Sequence, residues 1–242
     1  MWCNGQHCSL PKSRHGFDSR RSQKDTKRYL FNKDMFAFCI LHNDLSTLES
    51  LLEDDVSADT RVMGIPAIAH ACLSGKYDIL LLLLRYKADP NPMVGDEPLL
   101  HLVSRSSERR VLEKLLKAGA NPDCVDNGRR TAIMNMASID LEDMEKRIDL
   151  FIEYGSDLDE VDMEGKSALH YAIEFNNIPL AQVLLLNYCD PNIQDRYGNA
   201  PLHYLQDSDS ILVQIFVDSF ADFSIQNKDG ESLEKYLKTK NL

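Results

Sequence analysis

The chain has 242 residues, of which 43% are hydrophobic and 27% are charged, as in an ordinary globular protein. Its longest apolar run, Ile79 to Leu84, is too short to span a bilayer, and we expect no secretory signal at its start. Six cysteines are scattered without the spacing of a disulfide framework, so we expect reduced thiols and a cytoplasmic or nuclear location.

The net charge of −11 is divided unevenly along the chain. Residues 1–30 contain seven Lys or Arg and two Asp, so the remaining 212 residues carry a charge of −16. An acidic body repels the phosphates of nucleic acids and attracts basic surfaces of other proteins. The composition therefore predicts no direct nucleic-acid binding by the body of the protein.

Residues 1–30 show no hydrophobic period and are rich in Ser, Lys, Arg and Gln, which predicts a basic, disordered N-terminal tail. Zinc usually needs two closely spaced ligand pairs, and the tail offers one cluster, Cys3, His7, Cys8 and His15. We therefore expect no metal there. The basic run from Arg14 to Arg28 fits either a nuclear import signal or a solvated tail.

From Asp34 onward, hydrophobic residues recur at helical spacing and turn residues interrupt them. Phe36 and Ile40 share one face of a helix that Asn43 and Asp44 break. Further helices are then predicted in pairs, an inner one followed by an outer one, over 45–52, 64–72, 77–86, 98–103 and 109–117. Each pair ends in turn residues, such as Ala88-Asp89-Pro90-Asn91, because proline cannot continue a helix.

The same pattern returns at a fixed interval in the second half of the chain. His170 and His203 stand 33 residues apart, and so do Gly165 and Gly198. A period of that size predicts stacked repeats. We place the repeats at about 34–59, 60–91, 92–123, 124–159, 160–192 and 193–224, with a terminal cap over 225–242.

Two sets of residues carry a resemblance to ankyrin repeats. The helix-start motif is Ser167-Ala168-Leu169-His170, then Ala200-Pro201-Leu202-His203, and a Leu-Leu pair recurs at Leu83-Leu84, Leu115-Leu116 and Leu184-Leu185. The resemblance covers residues 31–242 and implies an all-α fold, a solenoid of stacked antiparallel helix pairs with β-hairpin-like loops. It also implies that Asn91 and Asn192 resemble asparagines that are hydroxylated in some members of the family.

Two repeats depart from the period. The fourth repeat is about three residues too long, and the surplus falls in 138–145, between its two helices. The sixth is about one residue short near 206–210. We expect this surplus either to lengthen a helix or to bulge the inter-helix turn of the fourth repeat, because a stack tolerates local insertions.

The sequence offers no set of catalytic residues, so we expect neither an enzyme nor a cofactor or metal site. His101, His170 and His203 fill the helix-start position of the family, where the side chain ties the turn to the helix. Three nearby acids faintly resemble a calcium loop that lacks its closing Glu, and they fit better as turn residues: Asp157, Asp159 and Asp162.

We then expect a partner to bind at the positions whose residue type the repeat pattern does not fix. Aromatic residues and Arg dominate measured binding hot spots. We predict partner contacts at Arg129, Arg130, Met163, Tyr171, Glu174, Phe175, Arg196, Tyr197 and Tyr204. Phe175 has an alternative role, packing between repeats.

These residues predict a non-enzymatic protein–protein interaction scaffold that binds a basic or mixed apolar segment through the concave face of the stack. With about six repeats and an acidic body, the chain resembles the inhibitor-of-NF-κB type of ankyrin protein, which implies regulation of a transcription factor or signalling protein. A substrate-recognition adaptor for a ubiquitin ligase is the alternative, although residues after Asp229 leave little room for a recruiting box. An enzyme is the remote alternative.

Overall fold

The computed structural model describes residues 19–106, 108–205 and 210–233. The helices are α1 Ser19–His42, α2 Leu45–Glu53, α3 Ala67–Leu73, α4 Tyr77–Arg85, α5 Leu99–Ser104, α6 Arg109–Lys117, α7 Ala132–Met136, α8 Met144–Glu153, α9 Ala168–Glu174, α10 Ile178–Leu186 and α11 Ser210–Asp218, with a 3₁₀ helix at Pro201–Tyr204. The strands are β1 Arg61–Val62, β2 Ile65–Pro66, β3 Met93–Val94 and β4 Glu97–Pro98.

The helices form consecutive pairs that pack side by side, which confirms the predicted fold class. The inner helices α3, α5 and α9 pack against the outer helices that follow them, α4, α6 and α10. Short hairpins precede the inner helices: β1 pairs antiparallel with β2, and β3 with β4. In later repeats single bridges take the place of the strands, at Val125↔Thr131 and Gln226↔Ser232.

One continuous core runs through the stack, because each amphipathic helix turns its apolar stripe toward its neighbours. Every repeat contributes at least one fully buried large side chain: Phe36, Leu80, Leu112, Phe151, Leu184 and Phe216. Most of these come from the outer helices, where leucine, isoleucine and valine recur three and four residues apart. The repeats are thus held mainly by burial against one another.

A second line of contacts joins the turns at which the repeats end. In each turn a side-chain oxygen accepts a hydrogen bond from a backbone N–H of the next repeat; the acceptors are Asp59, Asn91, Asp123, Asp159 and Asn192. The donor to acceptor distances are 2.7–3.1 Å. Asp157 and Asp159 are therefore turn residues, as predicted. Hydroxylation of Asn91 or Asn192 stays a prediction.

The first helix differs from the predicted tail. Residues 19–30 form the N-terminal half of α1, whereas the sequence predicted disorder there. No Pro or Gly interrupts 19–42, and the Lys, Arg and Gln residues of this segment are good helix formers. The Cys–His cluster of residues 3–15 lies outside the described part of the chain.

Helix α3 begins three residues later than predicted, at Ala67, because residues 61–66 form the hairpin of β1 and β2.

In the sixth repeat the inner element is the short 3₁₀ helix, and the predicted deletion at 206–210 falls largely outside the described residues. Leu233 is buried as the predicted cap requires, and the rest of that cap, with Tyr236 and Leu237, also lies outside them.

The fourth repeat carries its extra residues between α7 and α8, as the surplus predicted. Asn177 of the fifth repeat holds this longer turn, because its amide nitrogen donates to the carbonyl oxygens of Ala137 at 3.0 Å and Ile139 at 3.2 Å. Its amide oxygen accepts the N–H of Leu180 and caps α10. One side chain thereby fixes the irregular turn against the regular repeat.

Close packing between hairpins makes Gly165 sensitive to substitution. Its φ is +79°, and a Cβ there would lie 3.2 Å from backbone atoms of Asp195 and Arg196. Gly155 has a similar φ of +82°, but a Cβ there would meet no atom within 4 Å. We expect Gly165→Ala to lower the free energy of unfolding by about 2 kcal/mol, and Gly155→Ala by about 1 kcal/mol.

Urea unfolding followed by circular dichroism measures both values. Equal losses in the two variants would show that the hairpins can separate at no cost, and would contradict the close packing between them.

Candidate functional site

The hairpins of repeats four to six share one internal clamp. Asp162 Oδ1 accepts the backbone N–H groups of Glu164 at 2.8 Å and Lys166 at 2.9 Å. Asp126 and Asp195 do the same in their own hairpins, at 2.8–2.9 Å. Two hydrogen bonds to one carboxylate oxygen close each loop into a fixed shape.

Backbone hydrogen bonds then join each hairpin to the next. They run from Met163 N to Gly128 O at 3.1 Å, from Arg196 N to Glu164 O at 2.8 Å and from Lys228 N to Tyr197 O at 3.0 Å. The loops therefore form one continuous platform from repeat four to the cap. The backbone of this platform is held in place before any partner binds, which lowers the entropy lost on binding.

The inner-helix tyrosines are part of this framework. Tyr171 donates its hydroxyl to Asp162 Oδ2 at 2.6 Å, and Tyr204 donates to Asp195 Oδ2. In repeat four Asn135 takes the same place and donates to Asp126 Oδ2 at 3.3 Å.

The structure shows Tyr171 largely buried, and a partner contact at this residue stays a prediction. The residue is only 6% exposed, and burial followed by the hydrogen bond to Asp162 raises the pKa of its phenol. Tyr204 is more open, with its hydroxyl engaged in the same way. The spacing of nine residues between each Asp and its partner recurs in three repeats, and this signal could have revealed the pairing from sequence.

Two cations lie over these rings, and Lys166 is close to both of them. Lys166 Nζ is 5.5 Å from the ring centroid of Tyr171 and 4.5 Å from that of Tyr204, and Arg130 Cζ is 5.2 Å from the Tyr171 ring. Lys166 is largely buried and donates to Glu174 Oε2 at 2.7 Å. Burial alone would lower its pKa, but the hydrogen bond and the charge of Glu174 raise it. These contacts form the inner-helix cluster: Arg130, Lys166, Tyr171, Glu174, Phe175 and Tyr204.

Phe175 is the exposed member of that cluster. It caps the C-terminal end of α9 and stacks on Tyr171, with ring centroids 6.2 Å apart and an interplanar angle of 14°. Half of its surface faces solvent, at the side of a groove that also contains Asp140 and Pro179. Half of Phe175 is thus available to a partner, and its contact with one stays a prediction.

The remaining predicted contacts stand at the hairpin tips: Arg129, Met163, Arg196 and Tyr197. All four are exposed. Arg196 forms an ion pair with Glu164 at 3.1 Å and lies over the Tyr197 ring, with Cζ 4.7 Å from its centroid. Arg129 pairs loosely with Glu160, at 3.8 Å. The tips present apolar surface between charges of both signs.

Arg129 occupies a position where the hairpins of repeats five and six use glycine. Its φ is +59°, in the left-handed region, while Gly165 and Gly198 fill the same place in repeats five and six. A side chain there costs about 1–2 kcal/mol relative to an unstrained residue. Since the side chain is exposed and does little for the fold, the strain favours a role for Arg129 in binding.

The repeat histidines belong to the scaffold, as predicted. His170 Nδ1 accepts the N–H of Ser167 at 3.0 Å, so its Nε2 carries the proton and donates to Asn199 O of the next repeat at 3.1 Å. Burial lowers the pKa of His170 to about 4. His203 repeats this arrangement with Ala200 and with Glu231 O.

His101 uses a variant of the same tie. Pro98 precedes it at the helix start and has no N–H to donate, so His101 Nδ1 pairs with the amide of Asn135 at 3.1 Å. Its Nε2 pairs with Cys124 O at 2.8 Å. In repeat four Met134 replaces the histidine, and its sulfur accepts the N–H of Thr131 at 3.4 Å.

Within the described residues, no group of three or more His, Cys, Asp or Glu side chains is arranged to hold a metal ion. Cys39, Cys72, Cys124 and Cys189 are free thiols. Burial raises the pKa of Cys72 to about 12 and that of Cys124 to about 11, so neither is an activated nucleophile. None of the helices in the described part of the chain has the length and apolarity needed to cross a membrane.

Comparison with known proteins agrees with this architecture. Residues 99–195 match the family model of ankyrin repeats in three copies. The crystal structure of the ankyrin repeat domain of Bcl-3, described as a unique member of the IkappaB protein family, superposes with a TM-score of 0.69 at 22% identity. The match covers 83% of this chain and 92% of that one, and at this identity it shows the fold alone.

Two curated relatives share part of their length with this chain. It is 28% identical over 154 residues to the transient receptor potential channel pyrexia of Drosophila melanogaster, covering 62% of this chain and 15% of that protein. It is 27% identical over 164 residues to the B-cell lymphoma 3 protein homolog of Mus musculus, covering 53% and 37%. The chain thus spans well under half of either relative.

Proposed function

We propose that this chain, which carries ankyrin repeats, is a non-enzymatic scaffold that binds a protein partner through its inner-helix cluster and hairpin tips. The ankyrin-repeat fold is typically non-enzymatic, and such stacks present long surfaces that bind other proteins. We assign the contact to repeats four to six. There aromatic, apolar and charged side chains lie together, and backbone hydrogen bonds join the hairpins.

The observation that supports this site most strongly is exposed apolar and aromatic surface on a rigid platform. Met163 is 66% exposed, and Phe175 and Tyr197 are about half exposed. Because these side chains stay exposed, they contribute little to the stability of the fold. Arginine and aromatic residues together on a pre-organised surface are typical of binding hot spots.

The charges of the platform describe the partner. Each cation at this surface has a carboxylate nearby, as in Arg196 with Glu164 and Lys166 with Glu174. A purely basic or purely acidic segment would leave one set of charges unmatched, so we favour a mixed segment whose apolar side chains meet Met163 and Tyr197. The acidic body outside the platform draws the basic part of that segment toward it.

Sequence similarity to the B-cell lymphoma 3 protein homolog and to the nuclear factor NF-kappa-B p105 subunit supports our proposal of a regulator of a transcription factor or of a signalling protein. We place this function in the cytoplasm or the nucleus. The free state of the four described cysteines fits a reducing compartment.

A matched pair of variants tests the site. We expect Met163→Ala combined with Tyr197→Ala to weaken the partner at least about tenfold, because each removes an exposed apolar contact. Met63→Ala is the control: Met63 stands at the hairpin of repeat two and is 83% exposed. Tagged wild-type and variant chains are expressed in cells, co-purified proteins are identified by mass spectrometry, and the recovered partner is then titrated in purified form.

The wild type and the Met63 variant should capture the same transcription factor or signalling protein with equal affinity, and the double variant should lose it. A partner that binds all three chains equally would place the contact elsewhere. Recovery of ubiquitin-ligase machinery with the wild type would argue for the adaptor function instead.

A further inference from the structure

A second surface with unusual residues lies at the C-terminal ends of the last two outer helices. The residue two positions after each outer helix adopts a left-handed backbone conformation, and in repeats one to four it is Asp55, Lys87, Gly119 and Gly155. In repeats five and six this position holds Tyr188, with φ +63°, and Phe220, with φ +61°. Large side chains rarely occupy this region, because their Cβ crowds the backbone.

These two aromatic side chains bury almost nothing. Tyr188 is 93% exposed and Phe220 is 90% exposed, and neighbouring Leu186 is 71% exposed. The chain therefore keeps a strained backbone and open apolar surface at the same two positions, and neither helps the fold. Exposed apolar surface of this kind marks interaction sites on soluble proteins.

The aromatic pair borders a groove between the ends of α10 and α11. Its volume is about 490 Å³, within the range of pockets that enclose a ligand, about 300–1,000 Å³. Leu185, Pro191 and Ile215 are among the residues that line it. Of the residues that the structure describes, none that lines the groove belongs to an inner helix or to a hairpin tip, so it is separate from the surface of the proposed function.

Charge determines what can occupy the groove. Asp190 and Asp218 line it, and among the described residues no Lys or Arg does. A second copy of the chain, seated symmetrically, would bring acid against acid, and nucleic acid or an anionic lipid would be repelled. A basic segment that also carries an apolar side chain matches both the charge and the apolar lining.

We infer that this groove is a second docking site, which takes a peptide segment of a partner protein with a leucine or an aromatic side chain flanked by lysine or arginine. The apolar side chain enters between α10 and α11, Tyr188 and Phe220 close over it, and the basic groups meet Asp190 and Asp218. The chain thereby has two separate surfaces for proteins, one on its inner helices and hairpins and one on its outer helices.

Peptide selection on the full chain tests this site. A random peptide library displayed on phage is panned against the wild type, and the enriched peptides are synthesised and titrated. We expect a leucine or aromatic residue beside Lys or Arg in these peptides. They should bind Tyr188→Gly/Phe220→Gly at least about tenfold more weakly. That variant should melt no lower than the wild type, since glycine adopts the left-handed conformation without strain.

Three controls make the result specific. Lys87→Gly changes the equivalent left-handed position of repeat two, where φ is +61°, and should leave peptide binding intact. Met163→Ala/Tyr197→Ala alters the hairpin tips and should also leave it intact, so failure here is distinguishable from failure of the proposed function. Asp190→Asn/Asp218→Asn should weaken binding, while the amide oxygen that replaces the Asp190 carboxylate would still accept the backbone N–H of Asn192.

Several outcomes would overturn the inference. Peptides that bind the glycine variant as tightly as the wild type would place their site elsewhere. Selection of acidic peptides, or of no peptides, would contradict the inference that the groove binds a basic segment. A wild-type dimer in light scattering that the glycine variant abolishes would identify a second copy of the chain as the occupant.

Discussion

Replacing Arg147 by alanine is expected to lower the free energy of unfolding by about 3 kcal/mol, one of the two largest effects we predict. The side chain is 1% exposed and lies between repeats three and four. Its Nε donates to Asp143 Oδ1 at 2.7 Å, and a terminal nitrogen donates to Ser104 O at 3.0 Å. Ser104 ends α5, so the guanidinium satisfies a buried carbonyl at the negative end of that helix.

Alanine would leave that carbonyl without its donor and open a cavity where the arginine stem packs. Asp143 is 31% exposed and keeps a second partner, Arg109, at 3.3 Å, so its carboxylate is not stranded. This keeps the loss at the lower end of the range for breaking a fully buried ion pair, about 3–5 kcal/mol.

Two controls separate the causes. Arg109→Ala removes the other, 40% exposed, partner of Asp143 and should cost less than about 1 kcal/mol. Arg147→Met retains most of the volume and removes the donors, so its loss relative to wild type measures the polar contribution. Urea unfolding of the three variants gives the values. Equal losses for Arg109→Ala and Arg147→Ala would mean that the buried carbonyl at Ser104 finds another donor.

The burial of Arg147 is a feature that the sequence did not predict. The period predicted the extra residues between α7 and α8 because insertion changes a spacing that can be counted. It gave no sign of the buried arginine, since a charged residue in an amphipathic helix is usually on the solvent side. Its partner carbonyl lies 43 residues away, and that contact depends on how two repeats pack.

The helix pairs and the roles of His170 and His203 were predictable because the same residues return at the same interval and do the same work in each repeat. The surroundings of the candidate site residues were less predictable, and their contacts with a partner stay predictions. Tyr171 was chosen as an aromatic residue on a free position, but its hydroxyl binds Asp162 and its ring lies between Arg130 and Lys166. Whether an aromatic side chain faces outward or inward depends on its neighbours across repeats, which a single sequence does not display.

The strained residues Arg129, Tyr188 and Phe220 show a different limit. Their identities are visible in the sequence, yet their importance depends on backbone conformation. At a position with positive φ glycine is the residue without strain, so an arginine or an aromatic residue there is unusual. Departures from the repeat become informative once the geometry of the position is known.

Stability should fall below about pH 6.5 in a manner that depends on His170. Burial lowers the pKa of this histidine to about 4, although Asp195 and Asp162 nearby favour its charged form and Lys166 opposes it. In the unfolded chain a histidine has a pKa of about 6.5. As the pH falls from 6.5 toward 4, the imidazole of His170 therefore binds a proton in the unfolded chain but not in the folded chain. The free energy of unfolding then drops by about 1.4 kcal/mol per pH unit on account of this group.

The structural reason is that protonation removes the acceptor at Nδ1. The N–H of Ser167 would lose its partner, and a positive charge would be buried between repeats five and six. Carboxylates also titrate in this range, and burial lowers the pKa of His101 as well, so the wild type alone cannot isolate the effect. His170→Met supplies the comparison, because Met134 already performs the same task in repeat four by accepting the N–H of Thr131.

At about pH 7 we expect His170→Met to be less stable than the wild type by about 1 kcal/mol, because it loses the hydrogen bond to Asn199 O. At about pH 4.5 the wild type alone has lost the contribution of His170, about 2–3 kcal/mol, and the order of stability should reverse. Urea unfolding of both chains at the two pH values measures this crossing. Parallel pH profiles for the two chains would mean that His170 takes up its proton in the folded stack as easily as in the unfolded chain, and that the tie between repeats five and six does not depend on a neutral imidazole.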